Sequence, residues 1–256
     1  MMLSTVPFNA PVVERGVGFF ETILVVGTRM VHFSEHVKRL HDTLSHLQFP
    51  APSDEELTSA CQFCIDSAQR EPNKESALRL SWIAVGQDLD ARSSWRLDVS
   101  LRDIPPATLK RRLGAHAVTL PASYHRDMPT VKSTNYLVCV LGSRFASSRG
   151  ANEGLFISPD GTYLEGTATG LLAWNEGTLA APKGEFLPSV TVRAFIDGEI
   201  SRKPLTRADL QKGTVLLGSL TTAAPLLSID GLPCEQPVAM LRRIAEFNER
   251  ILGLAL

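Results

Sequence analysis

The stretch VGFFETILVVGTRMVHFSEHVKRLHDTLSHL, residues 17–47, has the pattern of a strand hairpin followed by a helix. Residues 17–31 are rich in β-branched and aromatic side chains, which predicts two strands turning at Gly27-Thr28. Ser34 is expected to cap the helix that follows. The helix is predicted from four apolar residues that share one face: Val37, Leu40, Leu44 and Leu47. This part of the chain therefore predicts a small α/β layer.

The rest of the chain alternates similar elements. A second helix is expected after Ser53, followed by strands in residues 76–86, 94–105 and 115–123. Beyond these, the pattern predicts a helix ending at Gly150, several hairpins, a helix over residues 189–200 and a C-terminal helix. We therefore expect an α+β protein with a small α/β domain and a larger mixed domain. The expected bounds are 1–107 and 114–256, with a short linker at about 108–113.

Composition and charge narrow the class of protein. The chain has 256 residues, of which 44% are hydrophobic and 21% charged, and a net charge of −1. These values are typical of a globular protein and give no basic footprint for nucleic acid or an anionic membrane. The N-terminus does not resemble a secretory signal, and no apolar run has the length of a transmembrane helix. We expect neither nucleic-acid nor membrane partners.

The four cysteines do not have the pattern of a disulfide framework. Cys61 and Cys64 could form a redox pair or half of a metal site. Their helical, apolar surroundings favour two buried thiols instead, so we expect no metal site. Free thiols fit a reducing, cytoplasmic compartment.

One lysine has unusual neighbours. Lys132 lies among small, apolar and amide residues in MPTVKSTNYLVC, residues 128–139, just before an apolar helix. An amine withdrawn from water loses its proton more easily and can attack a carbonyl compound to form a Schiff base. The alternative is a lysine whose stem packs at a helix start while its ammonium stays in solvent. Position alone does not decide between them.

Two further charged residues admit two interpretations each. Glu165 follows a hairpin strand and precedes small hydroxyl residues, so its carboxylate could face a flat ring or simply lie on the surface. Arg39 lies on the face of the first long helix. It could bind a ligand or form a surface pair with Glu35 at i,i+4 spacing.

Two segments have the pattern of an anion site. Ser189, Val190 and Thr191 lie where a loop becomes a helix, so backbone N–H groups and a hydroxyl could hold a phosphate, or the serine could act only as an N-cap. Gly218 and Ser219 end a strand with small residues that are compatible with an anion contact. Each of these signals is weak when taken separately.

Taken in order, these segments resemble the class IV aminotransferases, the fold type IV enzymes of pyridoxal phosphate. That family includes branched-chain and D-amino acid aminotransferases and aminodeoxychorismate lyase. The resemblance runs from about residue 12 to about residue 232. It rests on six segments: GVGFFETI (16–23), EHVKRLHDTL (35–44), VKSTNYL (131–137), SPDGTYLEGTATGLLAW (158–174), FLPSVTVRAFI (186–196) and LLGSLTTAAPLLSIDG (216–231).

The resemblance implies roles for the reactive centre. Lys132 would hold the cofactor as a Schiff base and then shuttle the substrate's proton. Glu165 would pair with the pyridine nitrogen and keep it protonated, so that the ring acts as an electron sink. Tyr136 would either approach the cofactor ring or pack.

The resemblance also implies a phosphate site and a type of assembly. Arg39 would bind the phosphate with its planar fork, together with the amides of Val190 and Thr191, the Thr191 hydroxyl and Ser219. The implied fold joins a small α/β domain to a larger barrel-like domain with the cofactor between them. Family members are commonly homodimers.

The sequence departs from the family pattern at several positions. The Gly-Asp-Gly that usually follows an aromatic residue is replaced by Gly16-Val17-Gly18. Arg15, just before it, could contact a substrate carboxylate, but the surface interpretation is favoured. Gly170 stands where an asparagine is expected. These departures concern substrate recognition more than cofactor binding.

Three functions remain open from the sequence. An aminotransferase would pass an amino group between an amino acid and a keto acid. An aminodeoxychorismate lyase, an enzyme of folate biosynthesis, would release pyruvate and leave 4-aminobenzoate. The short chain and the segment GSLTTAAP favour the lyase, although the aminotransferase remains the leading prediction. A non-catalytic sensor is disfavoured, because a binding module has little need for both Lys132 and Glu165.

Overall fold

A computed structural model describes residues 5–68, 71, 74–175, 177–196 and 198–253. The described chain forms two compact units. Unit 1 contains the residues through Asp103 together with the short segment Val131–Tyr136. Unit 2 contains Ile104–Thr130 and the residues from Leu137 onward. Lys132 therefore belongs to unit 1, although most of its sequence neighbours belong to unit 2.

Unit 1 is a four-stranded antiparallel sheet with helices. The strand order is β2-β1-β3-β4, and β1 pairs along its full length with β3. Its elements are α1 (Pro11–Arg15), β1 (Gly18–Val26), β2 (Arg29–Met30), α2 (Phe33–His46), α3 (Asp54–Ser67), β3 (Glu75–Ala84) and β4 (Trp95–Asp103). The hairpin and both long helices agree with the sequence prediction.

The core of unit 1 lies on one face of this sheet, against α2 and α3. Successive strand residues point to opposite faces, so every second residue of β1 and β3 faces the core. Full burial of one such side chain contributes about 1.5–3 kcal/mol. Glu21 falls in the same row, between Phe19 and Ile23, and is 1% exposed. The core includes Phe19, Ile23, Val25, Val37, Leu40, Leu44, Leu57, Cys61, Ile65, Leu78, Leu80 and Trp82.

The two helix starts were not predicted equally well. The Ser53 hydroxyl accepts a hydrogen bond from the Glu56 amide, which confirms the predicted cap of α3. The predicted cap at Ser34 is wrong, because α2 begins at Phe33 and its N-cap is His32. His32 adopts a left-handed backbone (φ 53°) as the chain leaves β2, so the helix starts earlier. The Ser34 hydroxyl instead donates to Glu35.

Unit 2 is a larger, mixed sheet with helices. The strand order is β10-β9-β8-β11-β12-β5-β6-β7, with β13 beside β12. Parallel pairs join β5 to β6, β5 to β12, and β9 to β10. Its elements are α4 (Pro106–Leu113), β5 (Ala115–Thr119), α5 (Leu137–Ser147), β6 (Glu153–Ile157), β7 (Tyr163–Gly166), β8 (Gly170–Asn175), β9 (Thr178–Pro182), α6 (Val190–Phe195), β10 (Ser201–Lys203), α7 (Arg207–Gln211), β11 (Thr214–Gly218), β12 (Thr222–Ile229), β13 (Leu232–Pro233) and α8 (Val238–Leu252).

Two segments of unit 2 differ from the sequence expectation. Residues 108–113, expected as a linker, form most of α4, and the buried Arg111 side chain donates twice to the Asn152 carbonyl. The helix predicted over residues 189–200 ends at Phe195, because Ile196 has an extended backbone (ψ 127°). Within the described residues, no helix has both the length and the apolar character needed to cross a membrane.

Candidate active site

The segment that carries Lys132 is fixed by backbone pairing within unit 1. The Phe20 amide donates to the Lys132 carbonyl at 3.0 Å, and the Thr134 amide donates to the Gly18 carbonyl at 2.8 Å. The Thr134 hydroxyl also donates to the Gly16 carbonyl at 2.6 Å. Residues 132–134 therefore extend the edge of the sheet beside the start of β1. This pairing fixes the Cα of Lys132 in the sheet.

The Lys132 side chain lies against aromatic rings. Its Nζ is 4.5 Å from the centroid of the Phe20 ring and 5.3 Å from that of Tyr136. The two rings meet edge to face, with centroids 5.2 Å apart. These rings remove part of the water that an exposed ammonium would hold, and the lysine is only partly exposed. Lys132 is thus not an ordinary surface lysine.

Arg79 lies on the same ring of Phe20. Its guanidinium carbon is 3.7 Å from the ring centroid, and its Nε donates to the Ser81 hydroxyl at 3.3 Å. The side chain is half-buried. Burial and then the neighbouring Arg102 lower the pKa of Arg79, whereas Tyr136 raises it. Sequence reasoning missed Arg79, because one arginine in a predicted strand gives no signal of its own.

Arg39 does not pair with Glu35. Its Nε donates to Glu21 Oε1 at 2.8 Å and its Nη2 donates to Glu21 Oε2 at 2.5 Å. His36 Nδ1 lies 2.7 Å from the same Oε2. The exposed fraction of the side chain is 12% for Arg39, 2% for Glu21 and 2% for His36. The surface-pair interpretation of Arg39 is therefore wrong, and its partner is a buried carboxylate that the sequence analysis did not single out.

The charges in this group favour an ionised Glu21. Burial alone would raise the pKa of Glu21, but the charge of Arg39 and hydrogen bonds from His36 and Arg39 lower it to about 2. Burial lowers the pKa of His36, an effect that Glu21 opposes and that the positive charges of Arg39 and Lys132 reinforce. Since the carboxylate can only accept, a neutral His36 donates its Nδ1 proton to it.

Glu165 is a buried carboxylate of unit 2. It lies near the end of β7 and is 6% exposed. Arg126 Nη1 donates to its Oε1 at 2.9 Å, and the Leu187 amide donates to its Oε2 at 3.3 Å. A guanidinium at this distance favours the ionised form of a carboxylate. The surface interpretation of Glu165 is wrong. Arg126 was missed because it lies 39 residues away in sequence, without a local pattern.

The small hydroxyl residues after Glu165 have a second carboxylate as partner. The Thr167 amide and hydroxyl donate to Glu153 Oε1, and the Thr169 hydroxyl donates to Glu153 Oε2. A Cβ on Gly166 would lie 2.3 Å from the Thr169 hydroxyl. Glu153 therefore holds the turn that follows Glu165, and these two hydroxyls stabilise that turn.

The predicted anion segments lie together in unit 2. Helix α6 packs beside β11, the strand that ends at Gly218 just before Ser219. The Ser189 hydroxyl caps α6 by accepting from the Val192 amide, and Val190 and Thr191 form the buried first turn. Amides in a first helical turn have no partner within the helix. Ser189 is therefore the N-cap of α6, and the first-turn amides belong to the two residues predicted as phosphate contacts.

The packing of α6 explains one departure from the family pattern. A Cβ at Gly170 would lie 2.7 Å from a methyl group of Val192 and 3.3 Å from the Ser189 Cβ. Because Val192 occupies this space, an asparagine would not fit there without a shift of α6. Arg15, by contrast, is exposed at the end of α1 and donates to Gln87, in line with the favoured surface interpretation.

Comparisons with known proteins identify the family of the chain. The model of the family Amino-transferase class IV matches residues 18–229. The chain is 27% identical over 245 residues to a bifunctional aminodeoxychorismate lyase / D-amino acid transaminase of Mycobacterium tuberculosis, covering 85% of this chain and 83% of that protein. It is 28% identical over 223 residues to a branched-chain-amino-acid aminotransferase of Escherichia coli strain K12, covering 77% of this chain and 70% of that protein.

A solved structure gives the same result for the fold. The PLP-bound form of a hypothetical aminotransferase from Mycobacterium tuberculosis matches with a TM-score of 0.86 at 23% identity, over 98% of this chain and 95% of that one. This likeness confirms the fold type IV architecture expected from the sequence. Since the family match covers most of the chain, the protein belongs to the class IV aminotransferase family.

Proposed function

We propose that this protein is a pyridoxal phosphate enzyme that transfers an amino group between an amino acid and a keto acid. The observation that carries the proposal is the setting of Lys132, whose amine lies against the Phe20 and Tyr136 rings while its backbone pairs with β1. This setting suits a lysine whose amine must form and release a bond to an aldehyde. The names of the relatives from Mycobacterium tuberculosis and Escherichia coli support the same activity.

The residues present fit the chemistry of that cofactor. Lys132 would take its aldehyde, and Glu165 would accept a hydrogen bond from its ring nitrogen. The phosphate of the cofactor would be bound by Arg39, the amides of Val190 and Thr191, the Thr191 hydroxyl and Ser219. The Glu165 carboxylate, which accepts a hydrogen bond from Arg126, supports the fit as an acceptor for the ring nitrogen. The small residues near Ser219 also support it. At Gly218, for example, an added Cβ would lie 3.0 Å from the Ala168 carbonyl.

Each residue then has a task in the reaction. The cofactor, when bound, supplies an electron sink for the substrate's Cα. Lys132 Nζ would accept the Cα proton of the amino acid and pass it to the carbon of the cofactor's aldehyde group, and in the second half-reaction it would deliver a proton to Cα of the keto acid. Glu165 would hold a proton at the ring nitrogen, and Arg126 keeps the carboxylate in place. The Phe20 and Tyr136 rings keep water away from the Lys132 amine.

The first experiment tests both cofactor and reaction. Purified protein is freed of ligand and titrated with pyridoxal phosphate while its visible spectrum is recorded. Alanine or glutamate, as the D or L form, is then added in a single turnover, followed by a keto acid. We expect the amino acid to change the spectrum of the bound cofactor and to be released as the matching keto acid. The keto acid added second should restore the original spectrum. A protein that never takes up the cofactor would support the sensor hypothesis instead.

Aminodeoxychorismate lyase is the second candidate. The bifunctional Mycobacterium tuberculosis relative, whose name includes this activity, favours keeping it. The protein would be supplied with aminodeoxychorismate, and pyruvate and 4-aminobenzoate would be measured beside the amino-transfer assay. Pyruvate from aminodeoxychorismate without any amino transfer would replace our leading proposal with the lyase.

Arg79 is a candidate for the substrate's carboxylate, because it and Lys132 contact the same Phe20 ring. Replacing Arg79 with lysine keeps the charge but removes the planar fork that matches a carboxylate. We expect KM for the amino acid to rise about 10-fold or more, since a hydrogen bond to a charged group contributes about 1.5–3 kcal/mol. Pyridoxal phosphate affinity should stay the same. The control is Arg29→Lys, an exposed arginine on β2, and an unchanged KM in Arg79→Lys would remove this role.

We also propose a homodimer in a reducing, cytoplasmic compartment. Helix α5 exposes Leu137, Val140 and Leu141 at i, i+3 and i+4 spacing, with exposed fractions of 64%, 51% and 44%. An apolar stripe of this kind is typical of an interaction surface. All four cysteines are thiols, which fits a reducing compartment.

The stripe on α5 gives a test of the dimer. Leu141→Glu places a charge in the stripe and should shift the protein to a monomer in light scattering at micromolar concentration. Ser147→Glu, at the exposed end of the same helix, should leave the mass unchanged. A monomeric wild-type protein, or a Leu141→Glu variant that remains dimeric, would contradict the proposed use of this surface.

A further inference from the structure

Glu21 is a charged residue in an apolar row. Its neighbours on the same face of β1, Phe19 and Ile23, pack in the core of unit 1. Taking a carboxylate out of water is costly unless it is paired and hydrogen-bonded. An apolar side chain would suit the core as well or better. Its carboxylate must therefore be explained by the groups that it contacts.

Both partners of Glu21 come from one face of α2. Arg39 and His36 are three residues apart, so their side chains are neighbours on the helix. Arg39 meets the carboxylate with two nitrogens, Nε and Nη2, at 2.8 and 2.5 Å, while His36 Nδ1 meets Oε2 at 2.7 Å. A two-nitrogen pair fixes the plane of a guanidinium as well as its position. The direction of the third nitrogen, Nη1, is then fixed too.

We propose that Glu21 is a positioning residue that holds the Arg39 guanidinium in the orientation needed for the cofactor's phosphate, with His36 as its second support. The inference rests on the proposed function, in which Arg39 binds that phosphate. The long arginine side chain has many rotamers in solution, and ordering it only when the ligand binds would weaken binding. Glu21 makes that ordering part of folding.

A purely structural ion pair is the competing explanation, and the conservative variant Glu21→Asp separates the two. Aspartate keeps the charge but is one methylene shorter, so it cannot reach both Arg39 nitrogens in the same geometry. If orientation matters, Glu21→Asp should bind pyridoxal phosphate about 10-fold or more weakly, while its affinity for pyridoxal, which lacks the phosphate, stays within about 2-fold of wild type. Loss of packing alone would weaken both ligands alike.

A double-mutant cycle makes the dependence on Arg39 explicit. In an Arg39→Lys background the fork is absent, so Glu21→Asp should weaken pyridoxal phosphate by no more than about 2-fold. Glu35→Asp, an exposed glutamate on the same helix, is the matched control and should change neither affinity. If Glu21→Asp does not fold, His36→Gln takes its place as a milder change. It should shift the ratio of the pyridoxal phosphate and pyridoxal affinities in the same direction.

The outcomes separate this inference from the proposed function. Wild-type protein that binds pyridoxal phosphate, together with Glu21→Asp or His36→Gln protein showing the wild-type ratio of the two affinities, would overturn the positioning role alone. Equal effects of Glu21→Asp in the wild-type and Arg39→Lys backgrounds would also overturn it. Wild-type protein that binds neither compound would overturn the proposed function, and this inference with it.

Discussion

Replacing Lys132 with alanine should lower turnover by about 10³-fold or more, because a positioned proton-transfer group alone contributes about 10²–10⁴. The variant should still fold, since backbone hydrogen bonds of residues 132 and 134 join this segment to β1 and do not depend on the Lys132 side chain. Removing the side chain exposes the Phe20 and Tyr136 rings without breaking that pairing. We therefore expect a small change in thermal stability beside a very large loss of rate.

Covalent trapping provides a readout that does not depend on activity. After incubation with pyridoxal phosphate and reduction with borohydride, the wild-type peptide that contains Lys132 should carry the cofactor's mass, and the Lys132→Ala chain should not. Lys38→Ala is the control, because Lys38 is an exposed lysine of the same unit paired with Asp42. Near-native turnover of Lys132→Ala, or trapping at another lysine, would refute the proposed role.

The local elements of the fold could be predicted because they depend on neighbours in sequence. The β-branched and aromatic residues of β1, the apolar stripe of α2 and the Ser53 cap involve residues within a few positions of one another. The hairpin of β6 and β7 likewise follows from its Pro-Asp-Gly turn. The same local view failed at α4, because its eight residues begin at a proline and are followed by a glycine, a pattern that resembles a connection as much as a helix.

The contacts of the candidate site could not be predicted in the same way. Arg39 was compared with Glu35 because the two lie on one helix, whereas its partner Glu21 lies on a strand 18 residues earlier. Spacing on a helix reveals i,i+4 pairs but says nothing about which side chain a strand presents to that helix. A single charge in an otherwise apolar strand row was the available signal for Glu21.

The same limit applies to Lys132. The sequence indicated an unusual lysine from its apolar, small neighbours, but not that its segment would pair with β1, more than 100 residues earlier. The family resemblance supplied the candidate roles that local patterns could not. The structure then adds what neither gave: the aromatic setting of the amine and the Arg126 partner of Glu165.

Replacing Glu165 with glutamine should slow the reaction by about 10²–10³-fold, the usual effect of losing one charge-stabilising partner in an active site. Glutamine has nearly the same shape but no negative charge, so it cannot hold a proton on the cofactor's ring nitrogen as well. It also leaves Arg126 facing an uncharged amide where only 9% of the arginine side chain is exposed. Breaking a buried pair in this way costs about 3–5 kcal/mol, so the melting temperature should fall as well.

The two effects of Glu165→Gln can be separated by how the rate is measured. Single turnovers at saturating cofactor and at a temperature well below the variant's melting point report chemistry alone. We expect the rate of Cα proton removal to fall and the visible spectrum of the bound cofactor to shift, because the ring nitrogen loses its ionic partner. Glu185→Gln, an exposed glutamate in the same unit, should change neither quantity. If Glu165→Gln lost stability but kept the wild-type rate and spectrum, Glu165 would be only a structural partner of Arg126, and the ring-nitrogen role would have to be assigned elsewhere.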